Sequence, residues 1–276
     1  MDLYTQVAYA TSRHLTLRYS SSFGISSRLF PRDIQPHIYA IYGLVRIADE
    51  IVDTYRGPDA RARLDELEST TLAALKTGFD VNPIVHAFAL TARQYEIPDG
   101  LIRPFFASMR MDLPSSKYSQ HQYQEYIYGS AEVVGLMCLR VFCNNDTVQY
   151  NNLEKGARAL GSAYQKINFL RDLLADYKEL GRVYFPGITF ESFDENMKLR
   201  IIQDIRSDLR IAQSAIVRLP RSSRSAVKMS YVYYNELLKR LDAAPVAAIK
   251  AGRIRIPSRH KIQLLAKTLI KEKFNA

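Results

Sequence analysis

Several residue types are rare in this chain, and each shortage excludes a class of protein. Tryptophan is missing from its 276 residues, while glycine and proline number only 12 and 11. With so few chain-breaking residues and no low-complexity segment, we do not expect a disordered protein. The two cysteines, Cys138 and Cys143, lie in an apolar segment without histidines close by. They match neither a metal-ligand pattern nor a disulfide framework, so we expect buried free thiols.

Long hydrophobic runs and nucleotide-binding motifs are also lacking. No apolar run approaches the roughly 18–20 residues of a membrane-spanning helix, and the first residues lack the layout of a secretory signal. We therefore expect a cytoplasmic protein. The five histidines are scattered, unlike the paired histidines of a zinc site. The glycines of GARALGS, Gly156–Ser162, lack the lysine and the preceding strand of a phosphate-binding loop.

Positive charge is in excess, with 38 Lys and Arg against 28 Asp and Glu, a formal net charge of +10. Such an excess suits nucleic acid, an anionic membrane surface or a phosphorylated substrate equally well. Zinc-finger spacing, RNP-like aromatic strands and a helix-turn-helix are lacking, so nucleic acid is not an expected partner. The basic segment from Pro257 onward fits an interfacial helix on anionic lipid or an amphipathic core helix with a solvated basic face.

The hydrophobic pattern predicts helices nearly throughout. With 47% hydrophobic residues the chain can bury a large core, and its length suits one domain, residues 1–276. Ser20–Gly24 is typical of turn and capping residues, and Gly181–Gly187 of a loop or short flap. The predicted helices cover about 2–18, 31–55, 61–78, 120–143, 146–177, 194–218, 222–251 and 257–274, with two more between residues 82 and 114. No alternating run is long enough for a sheet, so the fold class is all-α, an irregular bundle.

Two series of polar residues recur at intervals of four. Asn168, Asp172 and Asp176 form one series, which lies on a single face of a helix. Asp49 and Asp53 form the other, far upstream. Like charges at this spacing destabilise a helix by about 0.2–0.5 kcal/mol per pair, and more where water is excluded. Something cationic must compensate them, and hard oxygen ligands of this kind suit Mg²⁺.

The spacing alone leaves two interpretations open. The two series form a metal cage if they face each other across the interior of the bundle. They are equally well explained as solvated aspartates on outward faces, paired with Arg46, Arg171 or Lys178.

The two segments together carry a family resemblance. RIADEIVD at residues 46–53 and NFLRDLLADYKELGRVYFP at residues 168–186 resemble the aspartate motifs of the squalene and phytoene synthase family, the head-to-head prenyl transferases. The likeness runs from about residue 20 to residue 255. Supporting matches are SSSF at Ser20–Phe23, YAIYGLVR at Tyr39–Arg46, YIYGSAEVVGLM at Tyr126–Met137 and RIRI at Arg253–Ile256.

The resemblance implies a helical bundle of the isoprenoid synthase type with a central cavity, where two prenyl diphosphates condense. It implies Mg²⁺, with Mn²⁺ as a substitute, on Asp49, Asp53, Asn168, Asp172 and Asp176. The catalytic residues that it implies are the four aspartates of this set and Tyr184. The implied substrate contacts are Ser20, Ser22, Phe23, Tyr42, Arg46, Tyr128, Gln165, Arg171, Arg182, Tyr234 and Arg253.

The expected product is phytoene, from two geranylgeranyl diphosphates and without NADPH, because DEIVD with Glu50 in second place resembles phytoene synthases. The alternatives are squalene, dehydrosqualene or presqualene diphosphate from two farnesyl diphosphates, or a non-catalytic subunit that binds prenyl diphosphate. We expect a monomer or weak homodimer with peripheral contact to the inner membrane face. Two features depart from the family pattern: Glu132 replaces a small residue, and residues 177–184 are one residue longer than usual.

Overall fold

Nearly all of the described chain is helical, as its hydrophobic pattern predicts. The computed structural model describes residues 1–55, 57–113 and 118–274, except for the side chains of Ser21, Ser22 and residues 269–274. Within that part no strand occurs, which confirms the all-α class. The helices are α1 Leu3–Tyr19, α2 Ser21–Ser27, α3 Gln35–Asp49, α4 Ala60–Thr77, α5 Pro83–Gln94, α6 Asp99–Met111, α7 Gln120–Ile127, α8 Val133–Cys143, α9 Thr147–Leu180, α10 Glu195–Ile216, α11 Arg221–Ala243, α12 Val246–Ala251 and α13 Ser258–Phe274.

Short polar side chains begin many of these helices. Each accepts a hydrogen bond from a free backbone N–H of the first turn, which is the usual role of an N-cap. These caps are Asp2, Ser20, Asn82, Ser119, Asp146 and Asp194. At the other end, Gly78 and Gly181 terminate α4 and α9 with φ angles of 78° and 66°, a left-handed conformation that glycine adopts without strain.

Two helices contain a π-helical turn. Glu50–Tyr55 continues α3, and Tyr128–Glu132 joins α7 to α8. In a π turn the backbone hydrogen bonds join residues i and i+5, so the turn is wider than in an α-helix. The side chains that follow the turn therefore point in different directions from those of a regular α-helix. Such turns occur frequently at functional sites. Here they carry Asp53 and Ser130, both within segments predicted as regular α-helix.

Two predicted boundaries are wrong. The predicted capping at Ser20 is correct, since Ser20 accepts a 3.2 Å bond from the Phe23 N–H, but the predicted turn as far as Gly24 is wrong, because Ser21–Ser27 forms the short helix α2. The helix predicted over 222–251 is divided between α11 and α12, since Pro245 lacks an N–H and disfavours helical conformation in the residue before it. The loop predicted after Gly181 is confirmed, as residues 181–184 form no regular element.

The longest helix, α9, is the centre of the fold. Its 34 residues extend over about 51 Å. It packs against α8 on one side and α10 and α11 on the others. One hydrophobic core lies around α3, α5, α6 and α8, and a second lies around α7, α9, α10 and α11. Because α9 contributes to both cores, its residues can line a space between them.

One helical stretch of the described chain, Gln120–Cys143, is long and apolar enough to cross a membrane. It is not an unbroken apolar run, because Glu132 and Arg140 interrupt it. More than half of it is buried inside the fold, as expected of a core helix, so it is weak evidence for a membrane span. Cys138 and Cys143 lie near its end and are both free, as predicted. Burial raises the pKa of these thiols to about 12 and about 11.

Candidate active site

A cavity of about 930 Å³ lies between the helices that pack around α9. Leu153 and Arg171 mark the ends of the part of α9 that lines it, so the cavity extends over about 27 Å of that helix. Its deep end is apolar, closed by Phe30 and Phe142 with ring centroids 5.2 Å apart. Polar side chains lie at the other end, the mouth, among them Arg46, Asn168, Arg171 and Arg253. The cavity therefore suits a long apolar molecule with an anionic head.

Two stacked aromatic pairs line the cavity next to its mouth. Phe23 lies on Tyr42 with ring centroids 5.3 Å apart, and Tyr164 lies on Tyr234 at 3.8 Å. The Tyr234 hydroxyl donates a hydrogen bond of 3.5 Å to Oδ1 of Asn168. Burial raises the pKa of Tyr42 to about 12, so its ring stays neutral at physiological pH. Neutral aromatic faces can stabilise a cation without bonding to it.

The first aspartate pair lies where α3 passes into its π turn. Asp49 is the last residue of α3, and Asp53 lies within the π segment. Arg46 Nε donates to Glu50 Oε1 at 3.0 Å, and Arg46 Nη1 lies 3.8 Å from Asp49 Oδ2. The guanidinium is thus held mainly by Glu50. Asp49 remains only weakly compensated.

The second series begins with an aspartate between two arginines. Asp172 Oδ1 accepts a hydrogen bond of 2.9 Å from Arg171 Nε and lies 2.7 Å from Arg253 Nε, while Asp172 Oδ2 accepts a hydrogen bond of 3.3 Å from Arg253 Nη2. One turn later, Asp176 has no such guanidinium in direct contact among the described residues. The interpretation of surface pairing therefore holds only in part: Asp172 and Asp49 have arginine partners, at 2.7 Å and 3.8 Å, and those arginines line the cavity.

The two series lie close together in space. Loss of hydration, followed by the charge of Asp53, raises the pKa of Asp49 to about 8. Loss of hydration and the charges of Asp172 and Asp53 raise the pKa of Asp176 to about 8 as well. Asp53 acts on both groups, so it lies between the two helices. The structure thus brings together carboxylates that are 120 or more positions apart in the sequence.

These carboxylates suit a divalent cation by their chemistry. Lost hydration and neighbouring negative charge raise the pKa values of Asp49 and Asp176, and a bound cation offsets both effects. Carboxylate and amide oxygens are the ligands that Mg²⁺ takes, together with water and phosphate. Within the described residues, no three His, Cys, Asp or Glu side chains converge on one metal position.

A fifth acidic residue, Asp112, was missed in the sequence. It follows the last turn of α6, its side chain is 4% exposed, and it lies near Asp49, Asp53 and Asp176. Burial raises its pKa to about 6, while Arg182 opposes that rise. The one available signal was a lone aspartate between the apolar residues Met111 and Leu113, which is weak because helix ends often carry polar residues.

Arg182 and Tyr184 contact Asp112 rather than the cavity. Both side chains are buried, and neither is among the described residues that line the cavity. Arg182 Nη1 lies 3.2 Å from Asp112 Oδ1 and 3.8 Å from Asp53 Oδ1. The prediction that Arg182 and Tyr184 touch substrate directly is therefore not supported by their placement.

Six other predicted positions with described side chains lie outside the cavity lining: Gln165, Tyr128, Asp49, Asp53, Asp172 and Asp176. Gln165 is half-buried on α9 beside the lining residues. Tyr128 lies beneath Arg158, whose guanidinium carbon is 5.1 Å from the ring centroid. Asp49 and Asp53 belong to the carboxylate cluster beyond the mouth. Ser22 has a side chain outside the described residues, whereas its neighbour Ser20 lines the cavity.

Glu132 is explained by the π turn. Its carboxylate accepts a hydrogen bond of 2.7 Å from Arg158 Nε. Ser130 and Ala131 of the same turn line the cavity instead. The family pattern allows two explanations for Glu132: a carboxylate on the cavity wall, or a local rotation of the helix. The structure shows the local rotation.

Comparisons with known proteins agree with this geometry. A profile of the squalene/phytoene synthase family matches residues 16–260. The phytoene synthase of Arthrospira platensis is 29% identical over 266 residues, covering 85% of this chain and 84% of that protein. A 15-cis-phytoene synthase of a Paracoccus species is 31% identical over 185 residues, covering 64% of this chain and 59% of that protein. The chain thus matches less than two thirds of the length of the Paracoccus enzyme.

Solved structures share the fold. The crystal structure of a dehydrosqualene synthase in complex with ligand superposes with a TM-score of 0.82 at 19% identity, covering 98% of both chains. The squalene synthase of Alicyclobacillus acidocaldarius superposes with a TM-score of 0.76 at 19% identity, covering 92% of this chain and 98% of that one. The expected single-domain helical fold with a central cavity is therefore confirmed.

Proposed function

This chain belongs to the squalene/phytoene synthase family of prenyl transferases, and we propose that it joins two geranylgeranyl diphosphates head to head to form phytoene. One observation carries the proposal: a deep apolar cavity opens at arginines that adjoin a cluster of aspartates. An apolar blind end suits prenyl chains, and a mouth of cations suits diphosphate. Relatives named phytoene synthase at 29–31% identity favour this product within the family.

The arginines at the mouth bind the diphosphates. Arg46, Arg171 and Arg253 line the cavity, and a guanidinium can bind phosphate oxygens through two parallel hydrogen bonds. Each is paired with a carboxylate in the structure, either Glu50 or Asp172, so it is already oriented before substrate arrives. Ser20 adds a hydroxyl at the same end.

Five residues would hold the metal: Asp49, Asp53, Asn168, Asp172 and Asp176. Mg²⁺, or Mn²⁺ in its place, supplies charge neutralisation to the diphosphate as the allylic carbon–oxygen bond breaks. The chain itself contributes oxygen ligands from two helices. It also keeps a hydroxyl, that of Tyr234, directed at Asn168 Oδ1.

The cavity walls protect the cationic carbon skeleton. The double bond of the second substrate attacks the allylic cation, and loss of a proton from the resulting cation closes the cyclopropane ring of a cyclopropylcarbinyl diphosphate. A second ionisation, a rearrangement and the loss of a proton then give the hydrocarbon. Phe23, Tyr42, Tyr164 and Tyr234 present aromatic faces at this depth, each worth a few tenths to about 2 kcal/mol to a nearby cation. The apolar walls exclude water, which would otherwise trap the cation.

A product assay tests the proposal. Purified protein is incubated with Mg²⁺ and either geranylgeranyl or farnesyl diphosphate, with and without NADPH, and the hydrocarbons are identified by mass spectrometry. We expect phytoene from geranylgeranyl diphosphate, independent of NADPH. Absence of a C40 product, with squalene, dehydrosqualene or presqualene diphosphate formed from farnesyl diphosphate, would replace our assignment by the farnesyl alternative.

Two variants separate catalysis from binding alone. Asp49→Ala and Asp172→Ala should abolish metal-dependent release of inorganic diphosphate, because each removes a proposed ligand. Release that is unchanged in both variants contradicts the proposed site. A wild-type protein that binds prenyl diphosphate but releases none would instead support a non-catalytic subunit.

We also propose peripheral membrane contact for a cytoplasmic protein, because the C40 product is insoluble in water. The basic helix α13 is the proposed contact. Sedimentation with anionic vesicles should weaken when residues 257–276 are deleted, and sedimentation that stays the same would exclude α13. A monomer or weak homodimer is expected in analytical ultracentrifugation, with no binding to nucleic acid.

A further inference from the structure

Asp112 is a buried carboxylate with an unusually complete set of donors. Its Oδ2 accepts a hydrogen bond of 2.6 Å from the Tyr126 hydroxyl. Its Oδ1 accepts from the Tyr184 hydroxyl at 3.1 Å, from Arg182 Nη1 at 3.2 Å and from the Tyr118 hydroxyl at 3.4 Å. Arg182 Nη2 also donates to the backbone carbonyl of Asp112. An ion pair this far from water persists only where hydrogen bonds compensate the lost hydration, as they do here.

These bonds join segments that are distant in the chain. Arg182 and Tyr184 are 70 and 72 positions from Asp112. Arg182 follows directly on α9, whose end is closed by a bond of 3.0 Å from the Arg182 N–H to the Asp176 carbonyl. The chain after α9 is thereby directed back under the aspartates. Asp112 fixes it there against α6 and α7.

Arg182 is placed where its charge acts on the aspartates without occupying their ligand positions. Its side chain is 6% exposed and lies 3.8 Å from Asp53, too far for a short hydrogen bond. Both terminal nitrogens of Arg182 donate hydrogen bonds to Asp112. A guanidinium free to move could instead form a bidentate pair with Asp53 or Asp176, in competition with a metal ion.

We propose that Asp112 is a positioning residue of the carboxylate cluster: it holds Arg182 as a fixed counter-charge beneath Asp53 and Asp176 and keeps the guanidinium out of the metal-binding positions. The proposal rests on the proposed function for the existence of a metal site. It assigns Asp112 no contact with substrate, since Asp112 is not among the described residues that line the cavity.

Mn²⁺ binding in the absence of prenyl substrate tests this role. The dissociation constant is measured by electron paramagnetic resonance, with Mn²⁺ alone and with added inorganic diphosphate. Asp112→Asn keeps the size of the side chain and removes its charge, which releases Arg182. We expect Mn²⁺ binding to weaken by about 10- to 100-fold, the usual cost of losing an outer partner of a metal site.

A double variant makes the test specific. In Asp112→Asn combined with Arg182→Gln, the competing guanidinium is gone, so Mn²⁺ affinity should recover most of the loss. A merely structural role for Asp112 predicts the opposite, because the double variant removes still more of the buried network. Failure to recover affinity in a folded double variant overturns the proposal.

Asp208→Asn is the matched control. Asp208 is also an acid in a network, half-buried with its side chain 19% exposed, and it accepts from Lys166 Nζ and from the Ser162 hydroxyl at 2.8 Å each, between α9 and α10. It is not among the acids that act on Asp49 or Asp176. Mn²⁺ affinity should therefore stay at the wild-type value. An equal loss in Asp208→Asn and Asp112→Asn would assign the effect to general loosening and overturn the proposal.

A milder variant covers the case in which Asp112→Asn does not fold. Tyr126→Phe removes the 2.6 Å hydrogen bond without changing charge, and should weaken Mn²⁺ binding more than Tyr118→Phe, which removes the 3.4 Å bond. Equal affinities in both variants and the wild type overturn the proposal, as does a wild type that binds no Mn²⁺. A wild type that binds Mn²⁺ but yields no C40 product refutes the proposed function alone.

Discussion

Arg253 Nε lies 2.7 Å from Asp172 Oδ1, although the two residues are 81 positions apart in the chain. This contact joins the segment after α12 to the middle of α9 at the mouth of the cavity. Arg171 donates to Asp172 as well. Two cations thus converge on one carboxylate, and both become available to an anionic ligand once a metal ion shares that carboxylate.

Removal of Arg253 should therefore impair substrate binding. Arg253→Ala is expected to lower kcat/KM by about 10- to 100-fold, because a hydrogen bond to a charged group is worth about 1.5–3 kcal/mol. The measurement is steady-state release of diphosphate. Arg259→Ala is the control, since Arg259 is an exposed residue of α13 outside the described cavity lining. Equal losses in both variants would mean that net charge, and not this contact, matters.

The Tyr164–Tyr234 stack should affect the course of the reaction. Tyr164→Leu removes a ring whose centroid lies 3.8 Å from that of Tyr234. Without this stacking partner, the Tyr234 ring is no longer held in place, and its hydroxyl loses its position beside Asn168. We expect a lower kcat and release of the cyclopropylcarbinyl diphosphate, seen in the product distribution by mass spectrometry. Tyr164→Phe keeps the stack and should retain the wild-type product ratio.

A second stack on the same helix is the control for that prediction. Tyr177 lies on Phe190 with ring centroids 4.4 Å apart, and neither residue belongs to the described cavity lining. Tyr177→Leu should leave the product ratio unchanged. A shift in products as large as that of Tyr164→Leu would contradict a specific role of the cavity stack.

The π turn at Tyr128–Glu132 requires glycine at its contact with α6. A Cβ atom on Gly129 would lie 2.2 Å from the Pro104 carbonyl oxygen. Gly129→Ala should lower the free energy of unfolding by about 1–3 kcal/mol or more, the usual cost of overpacking. Gly100→Ala, with nothing within 4 Å of the added Cβ, should raise it by up to about 1 kcal/mol. Urea unfolding of both variants checks the opposite signs.

His37 should make stability depend on pH. Burial lowers its pKa from the usual 6.5 to about 4, while the charge of Asp33 opposes that change. Its Nδ1 lies 2.9 Å from Thr91 Oγ1. The unfolded chain takes up a proton near pH 6.5 that the folded chain accepts only near pH 4. The contribution of neutral His37 to the free energy of unfolding is therefore complete above pH 6.5. It falls by up to about 3 kcal/mol as the pH drops from 6.5 to 4.

Unfolding in urea between pH 7.5 and 4.5 checks this slope against variants. Other groups titrate in the same range, so the difference between wild type and His37→Gln isolates the His37 term. That difference should change steadily with falling pH. A pH-independent difference for His37→Gln would refute the buried neutral histidine.

Local patterns were read correctly in the sequence because they depend on residues within one or two turns. The helical class, the caps at Ser20 and Asn82 and the four-residue spacing of Asp172 and Asp176 are of this kind. Family motifs also located most of the residues at the cavity mouth, including Arg46 and Arg253. What failed locally was the division of 222–251 at Pro245, a helix breaker overlooked between two apolar stretches.

The sequence by itself determined an all-helical chain with two oxygen-rich helix faces and a basic C-terminal end. Only the tertiary structure decided that Asp112 joins the aspartates, that Arg182 and Tyr184 bind Asp112 instead of lining the cavity, and that Glu132 turns to Arg158. The physical reason is that these contacts join residues 26 to 72 positions apart. Helix packing and the two π turns set which of them meet, and neither leaves a periodic trace in the sequence.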